Sequence, residues 1–292
     1  MLRRNSDSRG SISVAAFCAA LGFGTLVAGL TTAPAIAQQL SSTTIAAPAA
    51  TDDLDAVFAN QACVVTKALT ELDAPVARLS KRLELHEPVT IVALGSSSTA
   101  GAGASSPTFS YPSRLSRELK HRFPRESFSV INFGKNGVEA ADMTARLDDV
   151  LALKPDLVIW QVGTNAVLRD NSVPEVGNSL EAGIQRIKDG GADALLIDPQ
   201  YAPAVNAKSS LSNMVGLIGW VAKRANVPLF RRYVAMRHWH EDQAIAFDQF
   251  TKPDGIHMND WGYSCFARLL ADNIATAVSR SRAVADVKPP VR

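Results

Sequence analysis

Short apolar runs alternate with longer amphipathic stretches along most of the chain. Runs rich in Val, Ile and Leu occupy residues 89–94, 128–132, 157–162, 194–197 and 227–230. Apolar positions at helical spacing fall between and after them, at about 111–122, 140–153, 173–188, 209–225 and 259–279. Five buried strands that alternate with helices predict an α/β fold, in which a parallel sheet is covered by helices on both faces.

The segments that flank this pattern have a different character. Residues 53–85 carry apolar positions at mostly helical spacing, interrupted by Pro75, and predict two helices packed on the domain. Residues 38–52 are Ser, Thr, Ala and Pro with almost no large apolar side chain, which predicts a disordered leader. Residues 86–282 would then form the main domain, and residues 283–292 a flexible tail.

The N-terminus has the pattern of an export signal. Arg3, Arg4 and Arg9 precede an apolar run at 12–30, and Ala35-Ile36-Ala37 has the small-x-small pattern of a cleavage site. The sequence therefore predicts removal of residues 1–37, with the cut after about Ala37, and a periplasmic or secreted protein without stable membrane insertion. An uncleaved anchor is the alternative, although Gly and Thr interrupt the run. Sec and twin-arginine export both stay open.

Charge and cysteine content narrow the class of protein. Without residues 1–37 the chain carries 27 basic and 27 acidic residues, so nothing in its charge favours nucleic-acid binding. Cys63 and Cys265 are then the two remaining cysteines. In an oxidising compartment they form a candidate disulfide; two separately buried thiols are the alternative.

Small hydroxyl residues follow the first predicted strand. Residues 95–101 read Gly-Ser-Ser-Ser-Thr-Ala-Gly, which is either a plain turn or an exposed nucleophile. A serine hydroxyl needs a base within hydrogen-bond reach, and the base needs a partner that fixes its tautomer. Asp254 and His257, in an Asp-Gly-Ile-His segment just before the last helix, are candidates for both roles.

Acyl transfer also needs donors for the oxyanion that forms in the transition state. Gly137 follows the second strand and offers a backbone N–H, and Asn165 follows the third and offers a side-chain amide. A turn glycine and a helix cap are the alternative interpretations of these two residues.

The order of these four segments resembles the SGNH hydrolases, also called the GDSL esterase/lipase family. The resemblance covers residues 89–277 and aligns Gly95-Ser96-Ser97-Ser98 with the family's Gly-Asp-Ser-Leu block, so that Ser96 and Ser98 depart from it, as does Ala166 after the third-block asparagine. It implies a three-layer α/β/α fold with a five-stranded, flavodoxin-like parallel sheet, and ester hydrolysis through an acyl-enzyme without metal or cofactor. The implied catalytic residues are Ser97, His257 and Asp254, with an oxyanion hole from the Ser97 amide, Gly137 and Asn165.

The substrate is less well defined than the chemistry. A small-molecule or polysaccharide ester fits, with short-chain acyl or O-acetyl groups, and oligomeric state is left open. Tyr201 and Trp239 are candidates for an acyl or sugar pocket, with aromatic core packing as the alternative. The histidines and acids at 238–242 are interpreted as a solvated face rather than a metal site. A catalytically inert carbohydrate- or ligand-binding domain on the same scaffold is the alternative function, and a nucleotide site at Gly101-Ala102-Gly103 lacks the third glycine.

Overall fold

The computed structural model describes residues 54–286, so the predicted signal, the leader and the last six residues lie outside the described part. Five parallel strands form one sheet in the order β2-β1-β3-β4-β5. This strand order is that of flavodoxin-like folds and confirms the predicted fold class. The strands are β1 Val89–Gly95, β2 Phe128–Gly134, β3 Leu157–Gln161, β4 Asp193–Ile197 and β5 Leu229–Phe230.

Helices connect the strands and continue after the last one. They are α1 Lys67–Thr70, α2 Ala77–Glu84, α3 Ser97–Ala100, α4 Tyr111–Arg122, α5 Ala140–Ala145, α6 Leu147–Ala152, α7 Thr164–Leu168, α8 Val173–Asp189, α9 Pro203–Asn206, α10 Leu211–Ala225, α11 Arg232–Arg237, α12 Phe247–Phe250 and α13 Asp260–Asp286. Two single turns of 3₁₀ helix, Ala56–Phe58 and Pro107–Phe109, and a π-helical turn, His238–Asp242, complete the set.

Alternation along each strand divides the interior into two cores. Ile91 and Ala93 of β1 face one core, where α2, α4 and α13 pack, whereas Val92 and Leu94 face the other, formed with α5, α6, α8 and α10. All four side chains are fully buried. A strand that is buried on both faces reads as a continuous apolar run, which is why the sheet could be predicted from the sequence.

Three element boundaries differ from the prediction. The expected helix at 140–153 is two helices, because Arg146 has a φ of −96° and a ψ of 6° and breaks the helix between them. The segment at 54–85 contains one turn of α-helix and one longer helix, α2, rather than two full helices. The last helix continues to Asp286, into the stretch 283–292 that was predicted to be a flexible tail.

A disulfide joins Cys63 to Cys265, which lie 202 positions apart in the chain. The bond ties residues 54–66, the N-terminal segment of the described part, to α13, where Cys265 is fully buried. Trp261, also on α13, donates from Nε1 to the carbonyl oxygen of Gln61 (2.8 Å) and strengthens the same attachment. The N-terminal segment is therefore held to the domain by a covalent bond.

We expect the Cys63→Ala/Cys265→Ala variant to lose about 2 to 5 kcal/mol in free energy of unfolding, because the bond restricts the unfolded chain over a long loop. Denaturant unfolding of the variant beside the oxidised and reduced wild type measures this loss. The reduced wild type and the variant should have the same free energy of unfolding. An unchanged transition midpoint in both would contradict a stabilising role for the disulfide.

Candidate active site

Ser97 lies where β1 ends and the one-turn helix α3 begins. The turn is fixed from below by Gln161, the last residue of β3, whose buried Oε1 accepts hydrogen bonds from Ser96 N (3.1 Å), Ser96 Oγ (3.1 Å) and Thr99 Oγ1 (3.2 Å). A Cβ at Gly95 would lie 2.0 Å from Thr99 Oγ1, so this position has no room for a side chain. The arrangement presents the Ser97 side chain at the carboxyl edge of the sheet, where reactive groups gather in open α/β folds.

His257 and Asp254 meet Ser97 at this edge. Nε2 of His257 is 2.8 Å from Oγ of Ser97, and its Nδ1 is 2.7 Å from Oδ2 of Asp254. The other carboxylate oxygen, Oδ1, accepts the N–H groups of Ile256 and His257, both at 2.9 Å. Gly255, which lies between Asp254 and Ile256, has a φ of +67°, the left-handed conformation that glycine adopts without strain. The three side chains therefore form a continuous hydrogen-bonded series from hydroxyl to imidazole to carboxylate.

The environment of Asp254 favours its charged form. Partial burial raises the pKa of this carboxyl, but hydrogen bonds from the His257 side chain and from the N–H groups of His257 and Ile256 outweigh burial and leave the pKa below its ordinary value. Asp254 is thus ionised at neutral pH. An ionised carboxylate accepts a hydrogen bond from an N–H at Nδ1 of His257, and in the neutral imidazole this tautomer directs the lone pair of Nε2 toward Ser97.

The loop after α3 packs directly against His257. Gly103 has a φ of +90°, and a Cβ there would lie 2.4 Å from the carbonyl oxygen of Met258 and 2.9 Å from Cβ of His257. The hydroxyl of Tyr263 donates to the carbonyl oxygen of Ala102 (2.5 Å) and holds this loop in place. The imidazole is therefore supported by backbone on the side of the 101–104 loop.

Gly137 lies on the loop after β2, and Asn165 lies in the first turn of α7, just after β3. Because β2 and β3 are the two neighbours of β1, both residues flank the Ser97 turn. Gly137 has a φ of +77°, and its carbonyl oxygen accepts a hydrogen bond from Nη2 of Arg169 (2.9 Å). Nδ2 of Asn165 donates to the carbonyl oxygen of Val138 (2.8 Å), which uses one of its two amide hydrogens. Arg169 also pairs with Glu139, so one arginine holds both ends of the 137–139 segment.

A buried polar network, which the sequence analysis missed, lies under the same loops. Gln200, Arg232 and Thr164 are each at most 3% exposed, and Gln200 accepts a hydrogen bond from each of the other two. Burial raises the pKa of the neighbouring Asp198 carboxyl to about 7 and lowers that of Arg232 to about 10. Polar residues at or just after strand ends, such as Gln161 and Gln200, were the available signal.

The two predicted substrate residues have different positions. Trp239 is fully buried and packs edge-on against Phe250 and Trp261, with ring centroids 5.6 and 5.1 Å away, so the prediction that it lines a substrate pocket is wrong. The indole fills the core because a large apolar ring gains most from complete burial. Tyr201 is partly exposed, stacks against Phe247 and donates from its hydroxyl to Glu241 (2.9 Å).

The His- and acid-rich segment at 238–242 forms local contacts. Nδ1 of His238 lies 2.6 Å from Asp242, and Nδ1 of His240 lies 2.9 Å from the carbonyl oxygen of Ile245. Within residues 54–286 no group of three His, Cys, Asp or Glu side chains is placed to hold a metal ion. Over the same range, no helix has the length and apolar composition that crossing a membrane requires.

A flavodoxin-like sheet that carries hydrogen-bonded Ser, His and Asp side chains on its carboxyl edge defines the SGNH class of hydrolase folds. The chain belongs to the non-GDSL lipase-like family, whose model matches residues 62–280. This match confirms the resemblance drawn from the sequence. That the family is described as non-GDSL agrees with the sequence around Ser97, in which Ser96 and Ser98 stand where the GDSL pattern has Asp and Leu.

Solved structures with the same fold include several esterases. A two-domain esterase active on acetylated mannans, crystallised with mannopentaose, superposes with a TM-score of 0.64 at 22% identity and covers 75% of this chain, which spans 58% of that protein. A lipase/acylhydrolase from Enterococcus faecalis has a TM-score of 0.54 at 28% identity, with 64% of this chain and 96% of that one covered. An acetyl-xylooligosaccharide esterase from Geobacillus, solved as a variant, has a TM-score of 0.55 at 20% identity, with 64% and 94% covered. No curated protein matches the sequence.

Proposed function

We propose that this protein is a serine esterase that hydrolyses carboxylic esters through an acyl-enzyme. The observation that carries the proposal is the hydrogen-bonded series of Ser97, His257 and Asp254, in which each heavy-atom distance is 2.8 Å or less. Such a series activates a hydroxyl that is otherwise a weak nucleophile at neutral pH. The esterases and the acylhydrolase of the same fold support this assignment.

Each step follows from the position of a named group. Oγ of Ser97 attacks the ester carbonyl carbon while its proton passes to Nε2 of His257, and Asp254 stabilises the resulting imidazolium. The Ser97 amide, the Gly137 amide and the free amide hydrogen of Asn165 donate to the oxyanion. His257 then gives the proton to the leaving alcohol oxygen as the ester bond breaks. Water repeats the sequence on the acyl-enzyme and releases the acid and free Ser97.

Hydrolysis of p-nitrophenyl acetate by the purified protein tests this function. Release of nitrophenolate above the buffer rate is expected at neutral pH, without an added metal or cofactor. A folded protein that gives only the buffer rate with this ester and with a panel of acetylated sugars would favour the inert binding domain instead.

For the substrate we propose an O-acetyl group on a carbohydrate. A cavity of about 430 Å³ adjoins the loop that carries Asp254 and His257, and its lining combines an aromatic ring with hydrogen-bonding side chains: Pro203, Phe247, Asp248, Thr251, Lys252, Pro253, Gly255 and Asn259. A sugar ring offers an apolar C–H face and a rim of hydroxyls, which such a lining fits. The similar structures include esterases that act on acetylated mannans and acetylated xylooligosaccharides, which supports the same class.

We expect Phe247→Ala to raise the KM for acetylated manno- or xylo-oligosaccharides about tenfold, the equivalent of one lost stacking contact. The kcat/KM for p-nitrophenyl acetate should stay within about twofold, since neither Ser97 nor His257 lines the cavity and this ester has no sugar to occupy it. Trp220→Ala is the matched control, because Trp220 is an exposed aromatic residue on α10 that does not line this cavity. Equal losses on both substrates would show that Phe247 supports the fold and not the sugar.

We also propose that the protein is exported to the periplasm or beyond the cell. The basic N-terminus, the apolar run and the small residues at 35–37 support this location. The Cys63–Cys265 disulfide supports it independently, because such bonds persist in oxidising compartments.

A further inference from the structure

We propose that Gln200 is a positioning residue that sets the direction of the His257 side chain and couples it to the oxyanion loop. This inference rests on the proposed esterase function and concerns a residue outside the Ser-His-Asp series. Gln200 follows β4 and is 1% exposed, so it has no access to a bound ester. Its carboxamide instead contacts both loops that carry the reactive groups.

The orientation of this carboxamide is determined by its neighbours. Oε1 of Gln200 accepts hydrogen bonds from Oγ1 of Thr164 (2.8 Å) and from Nη2 of Arg232 (2.8 Å). A guanidinium donates only, so the oxygen has to face it, and the NH₂ group is therefore directed the opposite way. There Nε2 of Gln200 donates to the carbonyl oxygen of Ile256 (3.1 Å). Arg232 is itself fixed, because Nε and Nη2 both donate to the carbonyl oxygen of Asp198.

The Ile256 carbonyl belongs to the peptide unit that joins Ile256 to His257. The N–H of that same unit donates to Oδ1 of Asp254 (2.9 Å). Because the C=O and N–H of a trans peptide point in opposite directions, Gln200 and Asp254 hold this unit from opposite sides. The orientation of this peptide plane fixes the backbone at His257, and hence the direction in which the imidazole points toward Ser97.

Gln200 also contacts the residue that precedes the proposed oxyanion donor Asn165. Thr164 immediately precedes Asn165, whose amide is one of the proposed oxyanion donors, and is 3% exposed. One carboxamide thus connects the residue before the base with the residue before the oxyanion donor. A second bond, from Ala204 N to the carbonyl oxygen of Gly255 (2.9 Å), joins the segment after Gln200 to the loop that carries Asp254 and His257.

Gln200→Glu separates positioning from stability. A carboxylate at 200 still accepts from Thr164 and Arg232, so the variant should fold, with a thermal midpoint lowered by about 5 to 10 °C because of the lost bond to Ile256. Its second oxygen faces the Ile256 carbonyl oxygen and repels it, which breaks only the bond to the His257 peptide. We expect kcat for p-nitrophenyl acetate to fall about ten- to a hundredfold with KM within about twofold, because the loss falls on alignment rather than on binding.

Gln249→Glu is the matched control, since Gln249 is exposed and acts as an acceptor for Ala246 N, a role a carboxylate retains. It should keep wild-type kcat. A folded Gln200→Glu with wild-type kcat would overturn the proposal. If Gln200→Glu does not fold, Thr164→Val decides, because it removes one anchor of Oε1 and should lower kcat about threefold or more without changing KM. A wild-type kcat for Thr164→Val would then overturn the proposal.

The outcomes also separate this proposal from the proposed function. Wild-type protein that does not cleave the ester at all refutes the esterase, whereas active wild type with an equally active Gln200→Glu refutes only the positioning role. The low-field ¹H NMR signal of the proton between His257 Nδ1 and Asp254 gives a second measurement. It should shift or broaden in Gln200→Glu and not in Gln249→Glu.

Discussion

Ser97→Ala is expected to lower kcat/KM for p-nitrophenyl acetate by at least about 10³-fold. The variant loses the atom that forms the acyl-enzyme, while the oxyanion donors and His257 stay in place. Residual hydrolysis would then come from attack by water in a site that still stabilises the oxyanion. Steady-state release of nitrophenolate measures the loss, and thermal unfolding measures whether the fold is kept.

Ser98→Ala is the control for the Ser97 result. Ser98 is the next hydroxyl along the chain, but it is 3% exposed and points into the protein, so its loss removes no reactive group. We expect the Ser98 variant to keep its kcat/KM within about tenfold, any loss following from reduced stability. Two variants with the same activity would show that the hydroxyl of Ser97 is not the nucleophile.

The sheet and its reactive edge could be predicted because each strand carries its own signal. The run 157–160 is apolar at every position, as expected of a strand buried on both faces, and the order of runs and helices then fixes a parallel sheet. Ser97 and His257 are 160 positions apart, yet both follow from the rule that loops converge where parallel strands end. Local patterns and one rule of topology were sufficient at these positions.

The remaining features depend on contacts that no local pattern records. Trp239 lies next to charged residues in the sequence, and only the tertiary structure buries it against Phe250 and Trp261. The roles of Gln161 and Gln200 follow from hydrogen-bond partners that lie 32 to 65 positions away in the chain. A buried glutamine is recognisable as important only when its partners are known, because a lone carboxamide in a sequence is normally exposed.

The two glutamines explain how this chain, without the Gly-Asp-Ser-Leu pattern, holds Ser97 and His257 in place. Gln161 holds the turn before Ser97, where the GDSL pattern has Asp and this chain has Ser96, whose N–H and hydroxyl both donate to it. Gln200 holds the peptide before His257. Each uses one buried carboxamide to fix a loop from beneath the sheet edge, so the reactive side chains above can be partly exposed and still be aligned.

His257→Ala is expected to lower kcat/KM about as much as Ser97→Ala, that is by about 10³-fold or more. Nε2 of His257 is the partner of the Ser97 hydroxyl, and without the imidazole residues 54–286 present no other hydrogen-bonded base to accept the proton. The Ser97→Ala/His257→Ala double variant should lose no more than about threefold beyond either single variant, because the base acts only through the nucleophile. Asp254→Asn should lower kcat/KM by at least about 10²-fold but by less than His257→Ala, since its amide still leaves the imidazole in place but disfavours the tautomer that accepts the serine proton. His121→Ala, an exposed histidine on α4, is the control and should keep full activity. Losses of Ser97→Ala and His257→Ala that multiply in the double variant would mean that the two residues act independently, and the proposed proton transfer between them would be wrong.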